Sequence, residues 1–266
     1  MSGGGEKRVL SNKVVFVTGA GRGIGLGISE AIIEQNGSVV LADIDDGDLS
    51  DAENTLLSRF TSKENFILTT KCDVTDEKSV AAALNLAHNK FGRLDGLVNC
   101  AGVIRMGPDC EASAEDWRFQ FEVNVVGTHI CCNQFVRLVT EDAAIVNIAS
   151  NAGKVGYANM AGYNASKAAV ISLTRTLSAE LAGQRINVNA VCPGGVDTPM
   201  LAAVAESIGG RINEDPKQLL KSMVPEQLGR HITPLEIGRV TAFLLSSKAT
   251  IIRGQSINAD GGDTPY

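Results

Sequence analysis

Short apolar runs rich in β-branched residues alternate with longer helical patterns along nearly the whole chain, and this alternation restricts the fold most. Strands are expected over residues 14–17, 38–42, 66–70, 94–98, 144–148, 186–191 and 255–258. Helical patterns separate them over 24–35, 48–60, 79–91, 114–139 and 161–182, with another over 234–245. A strand that is apolar along its whole length needs cover on both faces, and parallel sheets get that cover from crossover helices. Right-handed crossovers then predict an α/β fold: a doubly wound, Rossmann-like, seven-stranded parallel sheet with helices on both faces.

Between the first strand and its helix lies Thr18-Gly19-Ala20-Gly21-Arg22-Gly23-Ile24-Gly25. G-x-G-x-x-G does not fit: a match from Gly19 fails at Ile24, and one from Gly21 fails at Leu26. The pattern is Thr-Gly-x-x-x-Gly-x-Gly, with Gly19, Gly23 and Gly25. Glycines here let the backbone approach a pyrophosphate, whose charge meets the N-terminus of the following helix. Gly19, Arg22, Gly23, Ile24 and Gly25 are therefore expected to hold a dinucleotide. Asp43 ends the second strand about 20 residues further on, where a carboxylate accepts ribose hydroxyls and repels a 2′-phosphate. Arg22 favours a phosphate, but like charge at close range discriminates more strongly, so NAD is expected over NADP.

Tyr163 and Lys167 stand four residues apart on a predicted helix, which puts both side chains on one face. An ammonium near a phenol favours the phenolate and so lowers its pKa. The pair is suited to exchanging a proton with an alcohol or ketone oxygen. Tyr157 and Tyr266 lack a lysine four residues on.

Composition narrows the class. The chain has 266 residues, 44% hydrophobic and 20% charged, with a net charge of −6. That balance disfavours nucleic acid as a partner. No apolar run reaches the roughly 18 residues that span a membrane. Six scattered cysteines and three histidines show no zinc-ligand spacing, so no metal is expected. Reduced thiols and the absence of a signal core in the first residues point to a cytoplasmic location. Residues 1–12 read as a flexible tail and 13–266 as a single dinucleotide-binding and catalytic domain. The irregular stretch over about 194–230 reads as a substrate lid.

With these motifs in order, the chain from about Lys13 to Gly262 resembles the short-chain dehydrogenase/reductase family, main single-domain branch. Cys72-Asp73-Val74 resembles the family's adenine-contacting turn, which assigns Asp73 and Val74 to the cofactor. Asn99-Cys100-Ala101-Gly102 resembles its Asn-Asn-Ala-Gly, with Cys100 in place of the second Asn; Asn99, Ala101 and Gly102 are then cofactor residues. Pro193-Gly194-Gly195-Val196-Asp197-Thr198 resembles the nicotinamide segment, implying Pro193, Gly194, Val196 and Thr198. Ser150 stands 13 residues before Tyr163, the family's separation.

The resemblance implies a catalytic set of Asn124, Ser150, Tyr163 and Lys167. Tyr163 exchanges the proton, and Ser150 donates to the reacting oxygen. Lys167 tunes the phenol and meets the nicotinamide ribose, while Asn124 holds a water that links Lys167 to solvent. It further implies hydride transfer between NAD(H) and a secondary alcohol or ketone. The family's usual assembly is a homotetramer packed through the helices near Asn124 and Tyr163.

Substrate residues are expected among Arg105, Asn151, Tyr157, Met160 and Met200, with Lys154 a further cation. A small polyol, a sugar-derived alcohol or a cyclic alcohol fits. Two other readings stand beside this one: a non-redox enzyme of the same fold, and a non-catalytic dinucleotide-binding regulator. The regulator predicts loss of Ser, Tyr or Lys, and all three are present.

Overall fold

The computed structural model of the chain describes residues 8–139 and 142–265. Strands β1 (Val14–Thr18), β2 (Ser38–Asp43), β3 (Ile67–Lys71), β4 (Gly96–Asn99), β5 (Ala144–Ile148), β6 (Asn187–Pro193) and β7 (Ser256–Ala259) form one sheet. Its order is β3-β2-β1-β4-β5-β6-β7, and every pairing is parallel. Successive side chains leave opposite faces of a strand, and β1 shows the effect. Val15 and Val17 enter the core on one face, whereas Val14 and Phe16 enter the other.

The first face is covered by α1 (Gly23–Glu34), α2 (Asp46–Arg59) and, later in the chain, α9 (Pro234–Leu244). The second is covered by α3 (Glu77–Phe91), by α5 (Gly127–Leu138), which follows α4 (Ala114–Phe121), and by α6 (Ala161–Glu180). Capping residues set several starts. Asp45 accepts from the N–H groups of Gly47 and Asp48 at 2.8 and 2.9 Å, and Thr233 with Glu236 forms a capping box before Pro234.

Three expectations need correction. The helix expected over 114–139 is interrupted by a π-helical turn, Glu122–Val126, in which the Gly127 N–H reaches back five residues to the Glu122 carbonyl. The stretch over 194–230 is not irregular: it holds α7 (Pro199–Ile212) and α8 (Pro216–Ser222). Thr198-Pro199 and Asp215-Pro216 are cap-plus-proline starts, with Thr198 accepting from Leu201 N and Asp215 from Lys217 N.

Of the expected tail, residues 1–7 lie outside the described residues, but Leu10 belongs to the fold. It is fully buried, and its N–H donates to the Gln35 carbonyl at 3.2 Å. An apolar side chain with a niche between α1 and β2 stays out of water, so the packed domain begins before Lys13.

Candidate active site

At β1 the strand order reverses, with β2 on one side and β4 on the other. Loops on the two sides of such a point diverge and leave a crevice at the carboxyl ends of the strands. A cleft of about 1460 Å³ opens there, lined by the loop after β1 at one end and by Ser150, Tyr163 and Lys167 at the other.

The glycine loop is built for a close approach. Gly19 has φ +62°, and a Cβ on it would stand 2.7 Å from the Ala101 Cα. A Cβ on Gly25 would stand 2.0 Å from the Gly19 carbonyl oxygen. Only hydrogen fits at either place, so the loop turns tightly onto the start of α1. Arg22, Gly23 and Ile24 also line the cleft. Asp43 accepts from Gly21 N at 2.9 Å and from Asp45 N at 3.2 Å, which fixes its carboxylate at the cleft edge.

Asp45 and Asp48 line the same end, and Arg22 pairs with Asp48 at 3.3 Å. Neither aspartate was expected from sequence, although the acidic run after β2 was visible. Asp73 and Val74 border this region, with Asp73 held by Thr75 N and Oγ1 at 2.9 and 2.7 Å.

The chemical end rests on β5 and α6. Ser150 follows β5, its hydroxyl accepts from Ala152 N at 3.1 Å, and it lies close enough to Tyr163 to pull the phenol's pKa down. Lys167 lies one turn beyond Tyr163, its Nζ 5.7 Å from the Tyr163 ring centroid. Nζ also donates to the Ile148 carbonyl at 2.8 Å.

Burial dominates both groups. It pushes the Tyr163 phenol up to about 12, against the pull of the Ser150 hydrogen bond, and pushes the Lys167 ammonium down to about 8. The expected lowering of the phenol by Lys167 does not appear: burial raises it, and Lys167 is not among the groups that shift it. Dense protein around both groups disfavours their charged forms. Tyr163 stands as a neutral phenol, ready to donate.

Ala101, Gly102, Pro193, Gly194, Val196 and Thr198 line the cleft as expected, and so do Arg105, Asn151, Tyr157, Met160 and Met200. Asn151 donates to the Tyr157 hydroxyl at 2.9 Å. Three expected residues are placed elsewhere. Asn99 is buried behind the cleft, donating to Asn147 Oδ1 at 2.8 Å and to Cys132 Sγ at 3.2 Å; its side chain ties β4 to β5. Lys154 donates to the Ser256 carbonyl at 2.6 Å and does not line the cleft.

Asn124 is 1% exposed and sits in the π-helical turn. Its amide accepts from Val103 N at 2.8 Å and donates to Val103 O and Ser166 Oγ, each at 2.9 Å. It therefore clamps the chain after β4 against α6. Gly102 lies between them: a Cβ there would be 3.3 Å from Asn124 Oδ1 and 3.4 Å from Lys167 Nζ. Asn124 lies behind that chain segment and not on the cleft wall.

Sequence reasoning also missed Phe119, Val123, Val204 and Ile208, all of which line the cleft. Helical spacing in 199–212 was the available signal for the last two.

A parallel doubly wound sheet, a glycine cradle at its switch point and a serine–tyrosine–lysine set at the far end of one cleft define a dinucleotide-dependent oxidoreductase. A family model described as Enoyl-(Acyl carrier protein) reductase matches residues 19–264. The chain is 35% identical over 257 residues to the short-chain dehydrogenase/reductase aba4 of Botryotinia fuckeliana, covering 95% of this chain and 97% of that one. It is 34% identical to the 2-(S)-hydroxypropyl-CoM dehydrogenase 3 of Xanthobacter autotrophicus, with 96% and 98% covered. It is also 34% identical to the cis-4-hydroxycyclohexanecarboxylate dehydrogenase of Sinomonas cyclohexanicum, with the same coverage. The crystal structure of levodione reductase superposes with a TM-score of 0.88 at 29% identity, covering 95% of this chain and 98% of that one.

The chain belongs to the short-chain dehydrogenase/reductase family. Two of these relatives are named as dehydrogenases of hydroxylated substrates, and the family binds nicotinamide dinucleotides. The residues present fit such a group: the loop leaves no room for a Cβ at Gly19 or Gly25, and a carboxylate stands at the end of β2.

Proposed function

We propose that the protein transfers a hydride between NAD(H) and a secondary alcohol or its ketone. A small polyol, a sugar-derived alcohol and a cyclic alcohol are the substrate classes in view. The observation that carries the cofactor choice is the company of Asp43: Asp45 and Asp48 line the same end of the cleft, and the one cation of the loop is already paired to Asp48. A 2′-phosphate would enter a field of carboxylates, whereas ribose hydroxyls would find acceptors.

The nicotinamide, when bound, supplies or takes the hydride. The chain does the rest. The Ser150 hydroxyl donates to the substrate oxygen and stabilises charge developing on it. In reduction the neutral Tyr163 phenol gives that oxygen its proton; in oxidation it must first be ionised. The Lys167 ammonium, held by Ile148 O, favours the phenolate by its charge, and Asn124 fixes the chain segment beside it.

A homotetramer joined through α5 and α6 belongs to the same reading, and the exposed Val126 at the start of α5 supports it. A reducing, cytoplasmic setting is supported by six free cysteines. No helix among the described residues is long and apolar enough to cross a membrane.

The test is a panel of secondary alcohols and ketones followed by NADH absorbance, with wild type beside Tyr163→Phe. Loss of general acid–base catalysis costs about 10²- to 10⁴-fold in kcat. Full redox activity in Tyr163→Phe would overturn the mechanism. A panel that consumes substrate without net NADH change would favour the non-redox reading.

A further inference from the structure

The cleft that holds Ser150 and Tyr163 also has a chamber-like set of apolar walls drawn from separate elements. The lid helix α7 contributes Met200, Val204 and Ile208. These stand at i, i+4 and i+8, so they form one stripe on one helix face. Glu206 and Arg211, on the same helix, are absent from this lining. Phe119 of α4 and Val123 of the π-helical turn supply another wall. Phe119 and Met200 are 39% and 38% exposed, although both belong to the cleft and not to isolated surface positions. Large apolar side chains left in water around one chamber mark a surface that a ligand covers.

We propose that the substrate is a neutral alicyclic secondary alcohol or its ketone, its ring covered by the α7 stripe and Phe119 while its oxygen meets Ser150 and Tyr163. The inference rests on the redox reading above and selects among its substrate classes. A polyol fits these walls badly. Each hydroxyl pressed against Val204 or Ile208 would give up water and find no partner. An anionic substrate is disfavoured by Glu226 and Asp263, which line the same cleft. Arg105 also lines the cleft, but it stacks on the Phe119 ring with its Cζ 4.7 Å from the centroid. A ring is also preferred over an open chain of equal carbon count, because fewer rotors are frozen on binding.

The experiment compares kcat/KM for cyclohexanone, acetone and an open-chain ketose, with NADH oxidation as the readout. Cyclohexanone is expected to be the best of the three. Ile208→Asp is expected to lower the ratio of cyclohexanone to acetone kcat/KM by about 10-fold or more, since it puts a charge where the ring packs. Phe119→Ala, at an exposed position that folding tolerates, is expected to move the ratio the same way. NADH fluorescence titration on each variant reports whether the dinucleotide half is intact. A ketose preferred over cyclohexanone, or a ratio unmoved in both variants, overturns this inference and leaves the redox reading standing. If none of the ketones oxidises NADH, the redox reading fails and this inference fails with it.

Discussion

The Lys167 ammonium donates to the backbone carbonyl of Ile148 across 2.8 Å, from a side chain in a residue only 5% exposed. The bond anchors the cation but does not offset its burial, which lowers it from 10.5 to about 8. Below pH 8 both folded and unfolded chains carry the proton, and the burial penalty is fully felt. Between about pH 8 and 10.5 the folded chain sheds it first, the unfolded chain binds more protons, and stability rises with pH. Lys167→Met is therefore expected to be more stable than wild type at pH 7 by about 1–2 kcal/mol, a penalty of ~3 kcal/mol less the lost hydrogen bond. The advantage should shrink by pH 10, and activity should be lost throughout. Denaturant unfolding at the two pH values checks this; a variant less stable at pH 7 than at pH 10, relative to wild type, contradicts it.

Asp43 holds Gly21 N and Asp45 N while facing the cleft. Asp43→Ala should weaken NADH binding about 10-fold and narrow the gap to NADPH by more than that, because a repulsive group is removed along with an acceptor. Fluorescence titration with both dinucleotides measures it. If wild type already binds NADPH more tightly, the role given to Asp43 is wrong.

Arg211, near the end of α7, pairs with Glu111, just before α4, at 3.2 Å. Both side chains are well exposed, so the pair adds little to global stability, about 0–1 kcal/mol. It does join α7 to the segment that leads into α4. Glu111→Gln should leave thermal unfolding nearly unchanged and raise kcat about 2-fold if lid opening limits turnover. The salt dependence of wild-type kcat should flatten in the variant. An unaltered kcat and salt profile would mean that the pair does not hold the lid.

Leu10 is fully buried although it precedes the first strand. Leu10→Ala should destabilise the protein by about 2–4 kcal/mol, as expected for a core leucine. Chemical denaturation measures this, and a loss below ~0.5 kcal/mol would mean that the N-terminal segment is not part of the cooperative unit.

Much of this was legible because it is local. Val14–Val17 is continuously apolar, and the glycines after Thr18 leave few conformations open. Tyr163 and Lys167 share a helix face by spacing alone. What escaped depends on geometry between segments. Asn99 resembles a cofactor residue by motif, yet its amide turns to Asn147, a partner 48 residues away. The phenol of Tyr163 was expected to be lowered by its neighbour, but the sequence carries no measure of how densely α6 is packed. Phe119 and Val123 reach the cleft only because of how α4 passes into α5.

That passage has a consequence for the length of the chain. A π-helical turn carries one more residue than the α-helical turn it replaces, so Glu122–Val126 advances α5 by about 100° relative to an uninterrupted helix. The phase that lets Asn124 grip Val103 while Cys131 and Phe135 still face the core is thus encoded in a residue count and not in any one side chain. Shortening the turn by one residue would leave the composition almost untouched and force the protein to choose between its clamp and its core.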